Sequence, residues 1–267
     1  MSTDTLTKYS INIIGSGNVA HHLSKAFADV GCKICGIWNR HHEKAVSMAN
    51  CYGASSPKNL KDLPFADFWI ICVKDDAIRE VAKVVSCIMP RESILLHSSG
   101  STSIAIFDGL HENSGVLYPL QTFSKDIKLD ISDIPFFIEG TNEISTGKIR
   151  NLVSRIAKNI EYMPSDKRKY LHLAAVFACN FTNFCYSVAQ DILASNEINK
   201  DFLLPLIDQT ANKMHFMDAL SAQTGPAVRF DEKTIGRHLE IVPEQYKKIY
   251  IEISKHIHAL QKARNNR

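Results

Sequence analysis

The chain has 267 residues, of which 45% are hydrophobic and 22% charged, a balance typical of one large or two ordinary globular domains. Its formal net charge of +3, from 31 basic and 28 acidic residues, gives no indication of a nucleic acid or a membrane surface as partner. The first ten residues lack the apolar core of a signal peptide, and polar residues interrupt the most apolar run, at 173–189. We therefore expect a cytoplasmic protein without a membrane-spanning helix.

The cysteine and histidine patterns predict neither a disulfide nor a metal site. Cys32 and Cys35 have the spacing of a redox pair, but such pairs normally open a helix and Cys35 belongs to an apolar, strand-like run. The pairs His21-His22 and His41-His42 have no partner cluster nearby, so we expect solvated residues at helix starts. Four of the seven cysteines have apolar neighbours and are expected to be buried free thiols of a reducing compartment: Cys72, Cys87, Cys179 and Cys185.

Apolar strands alternate with helices through the first part of the chain. This alternation predicts an α/β fold, a doubly wound parallel sheet with helices on both faces. The predicted strands are residues 9–15, 33–39, 67–73, 93–100, 114–120, 134–140 and 160–164. The predicted helices between them are residues 18–31, 41–53, 75–89 and 141–159.

The pattern changes near residue 164 and becomes helical to the end of the chain. Ser165 is expected to cap a helix of about thirty residues that contains neither Gly nor Pro. A helix over 201–220 and an amphipathic helix over 243–263 follow it. We therefore predict two domains, a dinucleotide-binding domain at 1–163 and an all-α domain at 164–267.

The turn after the first strand carries the most specific motif. Residues 15–20 fit G-x-G-x-x-[G/A], and the motif follows an apolar strand and opens a helix. The first glycine allows the tight turn, the second lets a pyrophosphate approach the backbone, and a small third residue lets the helix pack close to the strand. The predicted cofactor contacts in this turn are Gly15, Ser16, Gly17, Asn18, Val19 and Ala20.

The end of the second strand bears on which dinucleotide binds. NAD sites usually place an acidic residue there to accept from the ribose 2′-hydroxyl, but this chain has Asn39 and Arg40. An arginine can pair with the 2′-phosphate of NADP, and His41 and His42 can add donors. This pattern favours NADP (NADPH) over NAD, although Arg40 can also be a solvated residue at a helix start.

Other strand ends supply further candidates, because ligands of open α/β sheets lie at the carboxyl ends of the strands. Val73 and Lys74 are expected to line the cofactor through their backbone. Ser98 and Ser99 could orient a carboxamide or a substrate, or could form no more than a turn and a helix cap. Gln121 lies in a loop that either closes over the substrate or is a plain surface loop.

The long helix carries a polar stripe if every residue turns the helix by 100°. Such a stripe is typical of a ligand cleft, a buried network or a subunit contact, because its amides and imidazole need partners. His172 is the candidate for proton transfer, with Asn180 and Asn183 orienting the substrate. The full stripe is Lys169, His172, Asn180, Asn183, Ser187 and Gln190.

A loop near residue 225 completes the set of candidates. Thr224 and Arg229 are candidate substrate contacts, since an arginine can bind a carboxylate through two hydrogen bonds. The alternative is that Arg229 pairs with Asp231 and braces the loop.

The motifs GSGNVA, NR, HSSGS, YPLQTFS, PFFIEG, LHLAAVFACNFTN and QTGPAVRFDE together resemble bacterial Rossmann-like proteins with a C-terminal helical domain of unknown function. These proteins are described as NADP- or deazaflavin-dependent oxidoreductases. Their wider superfamily includes 6-phosphogluconate and β-hydroxyacid dehydrogenases and pyrroline-5-carboxylate reductase. The resemblance implies a Rossmann domain, a homodimer formed through the helical domain, and an active site between the two domains.

One departure from the superfamily affects the chemistry. The hydroxyacid dehydrogenases carry a catalytic Lys with Asn four residues later on the long helix, whereas here Leu173 follows Lys169 at that spacing. Our hypothesis is an NADPH-dependent oxidoreductase that transfers a hydride to or from a small carbonyl or imine compound. The alternatives are a deazaflavin or imine reductase on the same scaffold, and a regulatory protein that binds NADP without turnover.

Overall fold

The structure is a computed structural model that describes residues 9–266. It divides into two compact units, the first ending at Cys179 and the second beginning at Asn180. The first unit holds the sheet, whose last strand ends at Tyr162, together with the start of the long helix. Each unit is described by itself.

The first unit contains a seven-stranded sheet with strand order β2-β1-β3-β4-β5-β6-β7. This order, with helices on both faces, confirms the predicted doubly wound fold. The strands are β1 (Ser10–Ile14), β2 (Lys33–Trp38), β3 (Phe68–Ile71), β4 (Ile94–His97), β5 (Ser114–Pro119), β6 (Phe136–Gly140) and β7 (Ile160–Tyr162). Four α-helices lie between them: α1 (Asn18–Asp29), α2 (His42–Asn50), α3 (Ile78–Ser86) and α4 (Glu143–Val153).

The prediction of a wholly parallel sheet is wrong at one strand pairing, so that β6 and β7 both run opposite to β1–β5. β6 runs antiparallel to β5, with Leu117 opposite Ile138, whereas the other neighbouring pairs are parallel. A parallel connection needs a crossover, usually a helix, but residues 120–135 between β5 and β6 form none. The chain therefore re-enters the sheet in the opposite direction.

Two apolar layers cover the sheet because alternate residues of each central strand point to opposite faces. On one face Ile11 and Ile13 pack in a cluster with Leu23 and Phe27 of α1. On the other face Ile14, Trp69 and Ile71 pack with residues of α3. All four residues of β3 and of β4 are buried, which explains their unbroken apolar sequence. The carboxyl ends of β1, β3 and β4 consequently form one rigid edge.

The long helical segment consists of α5 (Ser165–Ala175), a π-helical segment (Val176–Phe181) and α6 (Thr182–Ala194). Pro164, not the expected Ser165, occupies the N-cap position. A π-helix holds more residues per turn than an α-helix, so a single extra residue rotates the later side chains by about 100°. The polar stripe predicted for a regular α-helix is therefore wrong.

By length and composition, the helical segment Ser165–Ala194 could also cross a membrane, and it is the only such segment in the described part of the chain. Its N-terminal turn, however, carries a buried ion pair between Arg168 and Glu139 of β6. Polar side chains also interrupt it, among them Asn180 and Asn183. An interfacial helix of an enzyme has the same length and composition, so these features alone do not indicate a membrane protein.

The second unit is entirely helical, as predicted, but its helices are shorter than expected. The predicted helix over 201–220 is divided into 3₁₀ turns and two short α-helices. The C-terminal helix is continuous and extends to Asn265. The α-helices after α6 are α7 (Leu204–Asn212), α8 (Ala219–Ala222), α9 (Pro226–Arg229), α10 (Glu232–Ile241) and α11 (Glu244–Asn265).

Two expectations about buried residues need correction. All seven cysteines lie in the described residues and are free thiols, but Cys87 and Cys185 are exposed, and Cys72 and Cys179 are only partly covered. Cys87 follows the last turn of α3, at a helix end instead of on a packed face. His22 is buried and His42 is half-buried, and each ring makes a contact within the fold: Nε2 of His22 contacts the Ser124 carbonyl and Nε2 of His42 contacts the Ser56 carbonyl.

Candidate functional site

Gly15 forms the turn at the carboxyl end of β1. Its φ is +122°, and a Cβ there would lie 2.2 Å from the Cys72 carbonyl oxygen. The Gly15 N–H donates to the Trp38 carbonyl at 2.7 Å, and the Cys72 N–H donates to Ile14 at 2.7 Å. The ends of β1, β2 and β3 are therefore held together at a position where only glycine fits.

Gly17 and the first turn of α1 face open space. A Cβ at Gly17 would meet nothing within 4 Å, and Gly17 is the N-cap of α1. No side chain caps this helix start and no acidic residue lies in its first turn. Ala20 is fully buried, as the motif requires for close packing. The free N–H groups and the helix dipole fit a phosphate, so the turn can hold a dinucleotide.

A cleft of about 540 Å³ runs from this turn along the ends of β2 and β3. Asn39 shapes it, donating to Ser16 Oγ at 2.8 Å and accepting from the His41 N–H at 2.8 Å. Arg40 and His41 line the cleft together with Val73 and Lys74, whose contact with a cofactor stays a prediction. The lining of the cleft is Gly15, Ser16, Gly17, Trp38, Asn39, Arg40, His41, Lys44, Cys72, Val73, Lys74, Asp76, Ala77 and Val81.

Lys44 is a cleft residue that the sequence analysis missed. It lies in the first turn of α2, four residues after Arg40, and both cations line the same cleft. The basic residues at positions 40 and 44 could have indicated in the sequence that Lys44 lies near Arg40. His42 does not add the donor that was expected of it, because its ring contacts the Ser56 carbonyl at 2.9 Å.

Ser98 and Ser99 follow β4 beside this edge. The Ser98 N–H donates to the Ile71 carbonyl at 3.2 Å, which joins it to the end of β3. Ser99 Oγ donates to Asp75 Oδ2 at 2.9 Å and accepts from the N–H of Thr102 at 3.0 Å. Ser101 also donates to the Asp75 carboxylate. These bonds form a turn closed by Asp75, and whether the serines also orient a ligand stays a prediction.

Tyr118 and His172 form a hydrogen-bonded pair at the end of β5. The Tyr118 hydroxyl and His172 Nδ1 are 3.0 Å apart. Gly100 packs against both, since a Cβ there would lie 2.6 Å from the Tyr118 ring and 2.7 Å from His172 Nδ1. Burial raises the pKa of Tyr118, although the positive charge of Arg168 acts in the opposite direction. The sequence analysis missed Tyr118 because its partner lies far away in the chain.

A buried ion pair fixes the start of α5, and thereby the position of His172. Arg168 Nη1 donates to Glu139 Oε2 at 2.6 Å, and both side chains are almost fully buried. Arg168 also donates to the Thr102 carbonyl at 2.6 Å, next to the turn that contains Gly100. Ser165 Oγ donates to the same carboxylate oxygen at 2.6 Å. A paired and hydrogen-bonded charge is tolerated in the interior, whereas an isolated one is not.

The remaining predicted site residues are not brought to this edge by any contact described. Gln121 is exposed, and its side chain accepts from the neighbouring Thr122 N–H at 2.7 Å. Asn180, Asn183, Thr224 and Arg229 belong to the second unit, where all four are exposed. Their roles stay predictions.

The expected alternative, a pair of Arg229 with Asp231, is present only as a minor electrostatic effect, since hydrogen bonds from Thr234 lower the pKa of Asp231 most and the charge of Arg229 adds to them. Asp231 caps α10, accepting from the Thr234 N–H at 3.1 Å and from its hydroxyl at 2.9 Å. Within residues 9–266 the ion pairs do not include one between Arg229 and Asp231. In the same range, no cluster of three or more His, Cys, Asp or Glu could hold a metal ion.

Sequence comparison identifies both parts of the chain. Residues 10–95 match the family described as NADP oxidoreductase coenzyme F420-dependent. Residues 134–257 match a domain of unknown function, DUF2520. A search of curated proteins finds no match.

Solved structures resemble the chain over nearly its whole length. A Bacteroides fragilis protein, described as "putative NADP oxidoreductase BF3122", is 35% identical with a TM-score of 0.92, covering 96% of this chain and 100% of its own. Protein TM1727 of Thermotoga maritima is 22% identical with a TM-score of 0.67, covering 96% and 99%. A reductive aminase of Aspergillus terreus, solved with NADPH and ethyl-5-oxohexanoate, is 14% identical with a TM-score of 0.67, covering 96% and 93%. The last two show the fold alone.

Proposed function

The chain belongs to the family of the Bacteroides fragilis protein described as "putative NADP oxidoreductase BF3122", and from this premise we propose that it transfers a hydride between NADPH and a small carbonyl or imine compound. The observation that carries the proposal is the glycine turn, which opens onto a cleft lined by Arg40, His41 and Lys44. In this proposal the turn and the start of α1 hold the pyrophosphate, and the three basic side chains hold the 2′-phosphate.

The charge at the end of β2 supports NADPH over NADH. A 2′-phosphate adds about two negative charges, which two cations and an imidazole can neutralise, whereas the 2′-hydroxyl of NADH needs an acceptor. Asn39 is a weaker acceptor than the carboxylate of an NAD site, because its amide is uncharged and its oxygen already accepts from the His41 N–H.

Calorimetry with NADPH and NADH tests the cofactor assignment. We expect Arg40→Asp to weaken NADPH binding at least tenfold, about 1.4 kcal/mol, while NADH binding is unchanged or tighter. Arg91→Asp, the same charge change at an exposed arginine outside the cleft, should leave both affinities unchanged. An Arg40→Asp protein that still prefers NADPH would contradict the role of Arg40.

The pair of Tyr118 and His172 supports a proton-transfer role beside the hydride. NADPH supplies the hydride when bound, and reduction of a C=O or C=N bond also needs one proton at the heteroatom. The raised pKa of Tyr118 keeps its hydroxyl protonated at neutral pH. His172 is partly exposed and hydrogen-bonded to that hydroxyl, so it can supply the proton while Tyr118 holds the ring in place.

Turnover measurements test this pair. With a substrate found by screening small aldehydes, ketones and imines for NADPH oxidation, we expect His172→Ala to lower kcat at least 100-fold. Tyr118→Phe removes one hydroxyl and should lower kcat less, with a changed pH profile. Both variants should bind NADPH as the parent does, and unchanged turnover of His172→Ala would exclude it as the proton donor.

A deazaflavin reductase is the second candidate function, because the family that matches residues 10–95 is named for coenzyme F420. Such an enzyme would exchange a hydride between NADPH and the deazaflavin, which is visible as bleaching of the deazaflavin chromophore. Failure of both assays with tight NADPH binding would instead favour the regulatory alternative, a protein without turnover.

The proposal includes the assembly and the remaining site residues. We infer a cytoplasmic homodimer formed through the helical domain, with the small-molecule substrate between the domains. Asn180, Asn183, Gln121, Thr224 and Arg229 are then the residues available to orient that substrate. Their chemistry, amides, a hydroxyl and a guanidinium, suits a polar or anionic compound.

A further inference from the structure

Three consecutive residues between β5 and β6 each contact the glycine turn or the start of α1. We call this segment, Phe123–Lys125, the strap. The Phe123 carbonyl accepts from Asn18 Nδ2 at 2.7 Å, and the Ser124 carbonyl contacts His22 Nε2 at 2.9 Å. Lys125 Nζ donates to the Ser16 carbonyl at 2.9 Å. The Phe123 ring is buried and lies 5.0 Å from the His22 ring.

The strap thus reaches the turn that is proposed to hold the pyrophosphate. Ser16 is the middle residue of the Gly15–Gly17 turn, and Asn18 is the first residue of α1. No motif in the sequence connected residues 123–125 with residues 16–22, because the two stretches are far apart in the chain.

Of the three strap residues, Lys125 is the one whose side chain can donate further hydrogen bonds. An ammonium group has three N–H donors, and the structure describes one hydrogen bond from it, to an uncharged carbonyl. Within residues 9–266 no carboxylate lies within ion-pair distance of Lys125. The nearby Asp29 is already paired with Lys25 at 2.9 Å.

Both basic and acidic side chains surround Lys125, and Lys25 is one of the basic ones. The charges of Lys125 and Lys25 both contribute to lowering the pKa of His21, after burial and the neighbouring His22. A cation held at a phosphate-binding turn, beside other cations and without a counter-ion, is stabilised when an anion binds there.

We propose that Lys125 is a cofactor-binding residue and that the strap closes on the pyrophosphate through it. The inference rests on the proposed function, since it requires a dinucleotide at the glycine turn. The pyrophosphate is common to NADPH and NADH, so Lys125 contributes equally to the binding of both. Arg40, in contrast, is proposed to distinguish between them.

Calorimetry on the full chain tests the proposal with three variants. Lys125→Gln keeps a hydrogen-bond donor and removes the charge, and it should weaken binding of NADPH and of NADH by the same factor, roughly tenfold. Lys125→Arg should restore most of the affinity. Lys128→Gln, at an exposed lysine three residues later, should change neither. The effect of Lys125→Gln should also shrink at high salt, because the lost interaction is between charges.

Hydrogen exchange gives a readout that does not depend on turnover. NADPH should slow exchange of the backbone amides at 123–131 in the parent protein and in Lys125→Arg, and much less in Lys125→Gln. Unchanged affinity of Lys125→Gln, or a loss equal to that of Lys128→Gln, would overturn the proposal while leaving the proposed function intact. A parent protein that binds neither dinucleotide would overturn both.

Discussion

At the scale of single residues, burial decides the protonation state of His97. This residue ends β4 and is fully buried, and its Nδ1 accepts from the Ser99 N–H at 3.1 Å. Burial, and next the positive charge of Arg168, lower the pKa of His97 to about 3, although the Asp75 carboxylate acts in the opposite direction. The imidazole is therefore neutral in the folded protein at every pH at which the enzyme would work.

A pH-dependent stability follows from this shift. The unfolded chain takes up a proton at His97 near pH 6.5, whereas the folded chain does so only near pH 3. The contribution of His97 is present in full above pH 6.5 and is lost as the pH falls towards 3. We expect a decrease of about 2 kcal/mol in the free energy of unfolding between pH 7 and pH 5 from this residue.

Denaturant unfolding at several pH values measures this decrease. His97→Gln, whose amide does not titrate, should show a flatter pH dependence than the parent, whatever its stability at pH 7. His41→Gln removes an exposed imidazole and serves as the control, with the parental slope. Equal slopes for the parent and His97→Gln would show that His97 already titrates in the folded state.

The residues that the sequence identified are those whose function is local. Gly15 and Gly17 lie in one turn, and Arg40 follows a strand. Their proposed roles can therefore be predicted from short sequence motifs. Tyr118 and Lys125 could not be identified in that way. Each is a candidate because of a contact that only the tertiary structure shows: Tyr118 contacts His172, and Lys125 contacts the Ser16 carbonyl.

At the scale of elements, the period of the apolar residues predicted the strands well and their directions less well. β1, β3 and β4 are mostly apolar and buried, and this pattern predicted a parallel sheet. β6 is also mostly apolar and buried, but it pairs antiparallel with β5. Its direction depends on the absence of a crossover helix in residues 120–135, and the same connection contains the strap.

The long helix shows a second limit of the sequence pattern. A stripe over 169–190 can be derived only if each residue turns the helix by the same angle, and the π-helical segment Val176–Phe181 breaks that condition. Nothing in the composition of this segment indicates a wider turn. π-helical turns often occur at functional sites. The segment Val176–Phe181 is therefore a better target for substitution experiments than the polar stripe predicted over 169–190.

At the scale of the whole molecule, the two units differ in how they bury their residues. In the first unit the sheet supplies a continuous core on both faces. In the described part of the second unit, residues 180–266, Ala227 and Ser254 are the only buried residues. Large apolar side chains are exposed there, including Phe202 at 74%, Phe216 at 84% and Ile241 at 79%. A helical unit with so small a core needs a further surface to cover it.

A second copy of the chain fits this need, because the resemblance implies a homodimer formed through the helical domain. Light scattering after size exclusion should then give about twice the 29.9 kDa of one chain. Phe202 lies in the 3₁₀ turn that precedes α7, Leu206 lies in the first turn of α7, and both side chains are exposed.

Charges placed at Phe202 and Leu206 test whether these exposed side chains form the dimer contact. We expect Phe202→Glu with Leu206→Glu to lower the mass towards that of one chain at micromolar concentration, because two buried carboxylates per protomer would lack partners. Phe65→Glu, at a residue of the first unit that is 77% exposed, is the matched control and should stay dimeric. A parent protein that elutes as a monomer at tens of micromolar would contradict the homodimer. Covering the exposed apolar side chains of the second unit, such as Phe202 and Ile241, would then require a different partner.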